Sequence, residues 1–508
     1  MERVFPVYIL ITILVIIGLN HLLFLLHRQR RGLPLGPLPL PVIGNLHQLT
    51  CYPHRGLCDL SRTYGPIMLV HLGNVPMIVV STPRAAELFL KTHDAIFSSR
   101  PRFDLLNFIP QWKHTMLLSP NNSYWRHMRR LCIQKLLTDT KVREFGKSRK
   151  EAIVKMVRTL RAIKKDQGLN GINMSRVLAD VMGESVCRMV MRCDDGDMVG
   201  FEVVEAIQEM AKLFGTFNIG DYIPFFRLFD LQGLRRRAKE VNKVLEKMLE
   251  AIITNHEKNA PSRCDDTFVD MLMALMDIPV TGLANEKTSD YIIDHGRIKA
   301  IIIDMIAGGI ETTSTIIDWT LSEILRNPKV LKRLQDEIGC VVGKNRMVEE
   351  SDMQKLEYLE MAMKETLRLH PPAPLLVPHE SVEDVIMDGY FVPKGARIVI
   401  NVWAIGQDPG IWGTNAEEFC PERFEALEVD FKGRNFEFLP FGSGRRSCPG
   451  MNMGVALVKL TIAQLVHCFD WEMPEGMSWN DIDMSEEFGL SMPRANDLYL
   501  IPRYRLLD

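Results

Sequence analysis

The chain has 508 residues, 46% of them hydrophobic and 24% charged, with a formal net charge of −2. That composition supplies ample core for a globular protein, and the lack of excess positive charge excludes a nucleic-acid footprint. Its ten cysteines form no C-x-x-C pairs, so neither a zinc cluster nor a disulfide framework is expected, and a reducing compartment fits. No linker-like, repetitive or low-complexity stretch divides the chain after residue 50.

Phe5 to Leu26 is an almost unbroken apolar run, long enough to span a bilayer as a helix. His27-Arg28-Gln29-Arg30-Arg31 follows at once, and the positive-inside rule places this end and everything after it on the cytosolic face. The charge lies after the run rather than before it, which favours an uncleaved anchor over a signal peptide. The next stretch, Leu33 to Asn45, is rich in proline, which stiffens it and prevents the membrane helix from continuing. By itself it reads as a generic linker.

Residues 66–72 and 77–80 carry β-like runs, helical spacing dominates from about 120 to 375, and strands return near 382–400 and 497–504. The expectation is one body, mostly α with small β-sheets. The charge runs 147–150 and 235–237 read as solvated helix faces.

Several short constellations along this body carry chemistry. Trp125 and Arg129 lie one helical turn apart. His295 to Arg326 reads as one long helix interrupted by Ala307-Gly308-Gly309-Ile310-Glu311-Thr312-Thr313. Two glycines inside a helix cost roughly 1 kcal/mol each relative to alanine, so they mark either a groove for a planar group or close helix packing. Glu311 and Thr312 read either as a proton relay or as a capped polar notch, with Thr312 bonded to a backbone carbonyl. Glu365 and Arg368 share a helix face, and Arg423 follows in Pro421-Glu422-Arg423-Phe424. Cys448 stands in Phe441-Gly442-Ser443-Gly444-Arg445-Arg446-Ser447-Cys448-Pro449-Gly450, ahead of an apolar helix. Pro449 suits the first helical position, and Gly442, Gly444 and Gly450 suit positive φ. A thiolate here would sit at a helix N-terminus; a buried structural cysteine is the alternative.

The string Phe441, Gly444, Arg446, Cys448, Gly450 resembles the haem-thiolate signature of the cytochrome P-450 monooxygenases at every fixed position. Gly308-Gly309-x-Glu311-Thr312-Thr313 resembles the family's oxygen-activating element. Glu365-x-x-Arg368, Arg423 and Trp125-x-x-x-Arg129 match further family motifs. The resemblance covers essentially the whole chain and is nearest to plant microsomal enzymes of specialised metabolism. It implies the cytochrome P-450 fold with an anchor over 1–27, a basic and proline-rich hinge over 28–45 and a catalytic domain over 46–508. It also implies haem b, with Cys448 as the axial iron ligand and contacts from Arg446, Phe441, Gly442, Trp125, Arg129, His379 and Gly308. Thr312 and Glu311 would be catalytic, and Glu365, Arg368 and Arg423 a buried structural triad. One departure stands out: Ser119-Pro120-Asn121-Asn122 replaces the commoner Ala-Pro-Tyr-Gly, which affects the local loop shape.

The implied reaction is NADPH- and O2-dependent hydroxylation of a small lipophilic plant metabolite, with a terpenoid ahead of a phenylpropanoid, flavonoid or alkaloid. Partners would be an NADPH-dependent reductase docking on the basic face near Arg129, Arg130 and Lys135, a cytochrome b-type donor as a further electron source, and the endoplasmic reticulum membrane. The expected pocket includes Phe103, Leu105, Phe108, Leu213, Phe214, Phe217, Ile306, Ile310, Leu375, Leu376, Val377, Leu490 and Met492. Two other classes compete: a haem-thiolate hydroperoxide isomerase or lyase, and a non-catalytic haem sensor. The retained Thr312 and intact cysteine loop argue against the first, and the Glu311–Thr312 pair together with the basic helix face near Arg129 argues against the second.

Overall fold

The computed structural model describes residues 32–163, 171–191, 201–259, 267–276, 279–280 and 291–507. The apolar run 5–26 and the basic residues after it lie outside the described residues. The proline-rich segment enters the fold directly and is not a free linker. Leu69 N–H donates to the Leu35 carbonyl at 2.8 Å, and a Cβ on Gly36 would lie 1.9 Å from the Leu69 carbonyl oxygen. Buried Asn45 staples the segment: its amide donates to the Leu38 carbonyl and its oxygen accepts the His71 N–H.

In chain order, α1 (Pro53–Tyr64) precedes the hairpin β1 (Ile67–Leu72) and β2 (Val75–Val80). Gly73 turns that hairpin at φ +56°, a conformation cheap only for glycine. α2 (Ser123–Leu131), α3 (Gly146–Ala162), β3 (Ile172–Asn173), α4 (Met174–Val190), α5 (Phe201–Gly215) and α6 (Leu234–Asn259) lead to α7 (His295–Arg326). After it come α8 (Pro328–Val342), α9 (Glu357–Leu369), β4 (His379–Glu380), β5 (Arg397–Ile400), α10 (Met451–Cys468), β6 (Phe469–Glu472) and β7 (Tyr499–Tyr504). The larger sheet runs β1-β2-β5-β4, with β2 and β5 parallel, and a smaller one runs β6-β7-β3. The molecule is mostly α with small sheets.

α7 spans the residues its pattern predicts. Asp294 caps it by accepting the Arg297 N–H at 2.9 Å. Its length and hydropathy would suffice for a membrane span, as would those of α10, but both are largely buried inside the protein. An apolar surface on every side is what a central core helix requires. α7 packs along α4, and a Cβ on Gly309 would come 3.0 Å from Val186. Gly309 therefore serves helix packing, whereas a Cβ on Gly308 would meet nothing within 4 Å.

Glu365 and Arg368 on α9 are almost wholly buried. Arg368 makes a bidentate pair with Glu365 at 2.7 and 2.8 Å, and Arg423 Nε donates to the same carboxylate at 3.0 Å. Arg368 also donates to the carbonyls of Gly406 and Ala416, so the cluster ties α9 to two later segments. Every charge here has a fixed partner. That makes the cluster costly to break from one side, because the remaining ion is stranded.

Candidate haem and oxygen site

A cavity of about 330 Å³ lies between α7, α10, the 115–117 loop, the 372–377 segment and the cysteine loop 440–450. Cys448 and Gly308 both line it, together with Phe441, Gly442, Arg129, Arg446, His379 and Thr312.

The cysteine loop is held by its backbone. Cys448 N–H donates to the Phe441 carbonyl at 2.9 Å. Gly442 and Gly444 have φ +66° and +68°, and a Cβ on Gly444 would lie 2.2 Å from the Leu90 carbonyl oxygen. Two expectations change. Gly450 has φ −90° and serves as the N-cap of α10, so Pro449 lies before the helix rather than at its first position. Burial pushes the Cys448 thiol up, while the Gly450 N–H on the sulfur and the Arg129 charge act the other way. The sulfur is open to the cavity but enclosed by protein on its other sides. A metal bound there must displace the thiol proton.

Cations collect beside this loop. Arg446 donates to the carbonyls of Ser98, Met116 and Ser119, and Arg129 to the Ser447 carbonyl. Buried Arg100, which the sequence reading missed, donates to the Leu117, Val377 and Pro378 carbonyls. Among the described residues no carboxylate pairs with any of the three. Burial and mutual repulsion press Arg446 down to about 8 and Arg100 to about 9. His379 is also held well below its usual range, by burial and then by Arg100. The Phe97 carbonyl engages its Nδ1 at 2.8 Å, which fixes Nδ1 as the protonated nitrogen. A largely buried set of cations with no carboxylate in contact fits a ligand that brings its own carboxylates, as haem does with its propionates. Arg100 had no sequence signal, since it lies in an irregular loop.

Trp125 departs from its expected role. Its indole N–H donates to the Met116 carbonyl at 3.0 Å, and its ring is a platform for the Arg446 guanidinium at 3.7 Å. It therefore acts on the cavity through Arg446 rather than by its own N–H.

On α7 the cavity wall includes Asp304, Gly308, Gly309, Thr312 and Thr313, at helical spacing. Thr312 Oγ1 donates to the Gly308 carbonyl at 2.6 Å. Glu311 does not line the cavity. It is buried on the neighbouring face, where Oε1 accepts from Ser491 at 2.9 Å, and burial pushes its carboxyl up. Asp304 is a second missed residue: its carboxylate accepts the N–H groups of Met116 and Leu117, and burial raises it to about 7. Its position one turn before Gly308, inside an apolar run, was the available signal.

The expected substrate residues divide. Leu376 and Val377 line this cavity and also a second one of about 160 Å³. Phe103, Leu105, Leu213, Phe214, Phe217, Leu375 and Leu490 line only the second. Leu376, in the partition, has φ +51°, an unusual conformation for a bulky residue. Ile306 and Ile310 are corrected to core positions, because the cavity face of α7 is the one bearing Met305 and Gly309. Met492 is also core, with its carbonyl accepting the Trp319 indole N–H. Phe108 lies under Arg235 and Lys239, outside both cavities.

The Cytochrome P450 family model matches residues 34–501. The chain is 44% identical over 481 residues to Cytochrome P450 CYP736A12 of Panax ginseng, covering 94% of this chain and 95% of that protein. It is 39% identical to Cytochrome P450 71A23 of Arabidopsis thaliana, with 92% of each chain covered. It is 37% identical to Cytochrome P450 84A1 of the same plant, over 95% of this chain and 94% of the relative. A cysteine loop and a glycine-threonine notch lining one cavity, with cations ranged beside the loop and this family match over nearly the whole length, make the chain a member of the cytochrome P-450 family of haem-dependent monooxygenases.

Proposed function

We propose that the protein hydroxylates a lipophilic plant specialised metabolite, a terpenoid before other classes, with electrons from NADPH through a separate reductase. The single observation that carries this reading is the cavity between Cys448 and the α7 notch, whose wall is mainly aliphatic and aromatic. The flexible thioethers of Met116, Met189 and Met305 in that wall suit an irregular aliphatic skeleton.

Cys448 would ligate the haem iron, and Arg100, Arg129, Arg446 and His379 would hold the propionates. When bound, the haem supplies the centre at which O2 is reduced by two electrons and one oxygen atom is inserted into a C–H bond. The chain's own residues position and protonate. The open Cβ position of Gly308 leaves room for a flat group against α7. Thr312 carries a hydroxyl at the cavity surface, and Glu311 behind it is a buried acid able to resupply protons through water.

Exposed Leu35, Leu38 and Leu40 of the hinge and Phe225, Leu228 and Phe229 form apolar surface. The Gly73–Asn74 turn ties both segments together, bonding to the Ile43 and Tyr222 carbonyls. This supports a body resting on the endoplasmic reticulum bilayer beside a single anchor over 1–27.

A second reading, an alkaloid substrate, is favoured by Asp304, the one carboxylate among the described residues lining the cavity at Cys448, which could accept from an amine. Full-length protein expressed with a plant reductase should give a thiolate-type spectrum when reduced under carbon monoxide. It should also add one oxygen atom to members of a terpenoid panel. Turnover confined to amines would select the second reading, and turnover of hydroperoxides without NADPH would overturn both.

A further inference from the structure

Ser491 lies in a turn clamped on both sides. Leu490 N–H donates to the Ala211 carbonyl at 3.1 Å, and Met492 N–H to the Pro372 carbonyl at 2.9 Å. The Met492 carbonyl accepts from Trp319 of α7. Gly215 of α5 packs so closely on Gly489 that a Cβ there would lie 2.1 Å from the Gly489 carbonyl carbon. The turn therefore has little freedom, and it presents one buried hydroxyl to α7. That hydroxyl donates to Glu311 Oε1 at 2.9 Å, while Oε2 is buried and makes no hydrogen bond among the described residues. Lys212 of α5 and Glu487 of the same turn pair at 3.0 Å on the solvent side, and both charges act on Glu311.

We propose that Ser491 is a positioning residue for the proton relay: by donating to Oε1 it directs the exchangeable proton of Glu311 onto Oε2. The inference rests on the reading of Glu311 as the relay acid. A neutral carboxyl has one protonated oxygen and one that accepts. With Oε1 engaged as acceptor, Oε2 is the oxygen that carries the proton. When the Oε2–H bond breaks, the proton leaves toward water on the Thr312 side. The resulting carboxylate keeps the Ser491 hydrogen bond and the Lys212 field until solvent water returns a proton. Ser491 thus sets both which oxygen delivers the proton and how readily the acid refills.

The test uses the full-length haem-loaded enzyme with its reductase and the variants Glu311→Gln, Ser491→Ala and Ser491→Thr. Infrared spectra of the substrate-free enzyme in H2O and D2O locate the Glu311 carboxyl stretch as the band lost in Glu311→Gln. The expected result is an upward shift of that band in Ser491→Ala, a several-fold drop in product formed per NADPH at unchanged KM, and restoration of both in Ser491→Thr. An unshifted band in Ser491→Ala, or undiminished coupling there while Glu311→Gln loses it, overturns the role of Ser491 alone. Undiminished coupling in Glu311→Gln overturns the relay reading beneath it.

Discussion

The two sides of the cavity are built on opposite principles. Below, around Cys448, position is set by polar atoms with determinate partners: the Glu365 cluster, the carbonyls that hold three arginines, and backbone bonds within the cysteine loop. Above, along 103–118, 213–229 and 488–492, polar bonds hold the backbone at a few points, but the surface turned to the second cavity is mostly apolar side chains from segments distant in sequence. A polar partner admits few substitutes, whereas an apolar contact of similar volume admits many. The cysteine side is therefore specified by particular polar partners, and the exchangeable part of the other side is its apolar lining side chains.

The sharpest break in that contrast is Cys448→Ser, which should abolish the thiolate-type carbon monoxide spectrum and reduce turnover to background. Next is Arg368→Ala, which takes the bidentate partner from buried Glu365, leaving it Arg423 and the Cys420 N–H on one oxygen, and should cost about 3 kcal/mol. Denaturant unfolding and the haem-loaded fraction would report it, and a variant as stable as the parent would contradict a rigid lower side. Thr312→Ala should leave NADPH and O2 consumption largely intact while product falls several-fold and peroxide rises. Unchanged product per NADPH would remove Thr312 from the relay.

Asp304 bridges the two sides and gives a pH test. Burial raises its carboxyl to about 7, above the unfolded value of about 3.9. The sign follows from the raised value: its contribution to stability is fully present below about pH 4 and is lost as pH rises through about 7. Melting temperatures of the parent should therefore fall relative to Asp304→Asn across that window and run parallel above it. Parallel curves throughout would show that Asp304 keeps an ordinary acidity. The smallest effect is expected from Leu376→Gly. Relief of the left-handed backbone, about 1 kcal/mol, offsets part of the lost apolar contact. Stability should change little while the range of substrates widens, and an unaltered product profile would argue against a partition at this residue.

Some of this was legible in the amino-acid string because its causes are local. The Cys448 loop closes on its own Phe441 carbonyl, the Glu365–Arg368 pair is three residues apart on one helix, and the length of α7 follows from its apolar run and the Asp294 cap. The roles of Trp125 and Glu311 were less legible, because one N–H is claimed by Met116 and one carboxyl oxygen by Ser491, both far along the chain from the motif that names them. Arg100 carried no signal, since only the fold brings its loop against Val377 and Pro378.

By itself, then, the sequence determined the cysteine loop, the long helix α7 and the Glu365–Arg368 pair, because backbone conformation and short-range spacing dictate them. Tertiary structure alone decided which face of α7 lines the cavity, turning Ile306 and Ile310 into core and exposing Asp304 and Thr312. It also decided that the expected pocket residues divide between two cavities at Leu376. Those outcomes depend on how helices rotate against one another, and that rotation is fixed by the summed packing of the whole core.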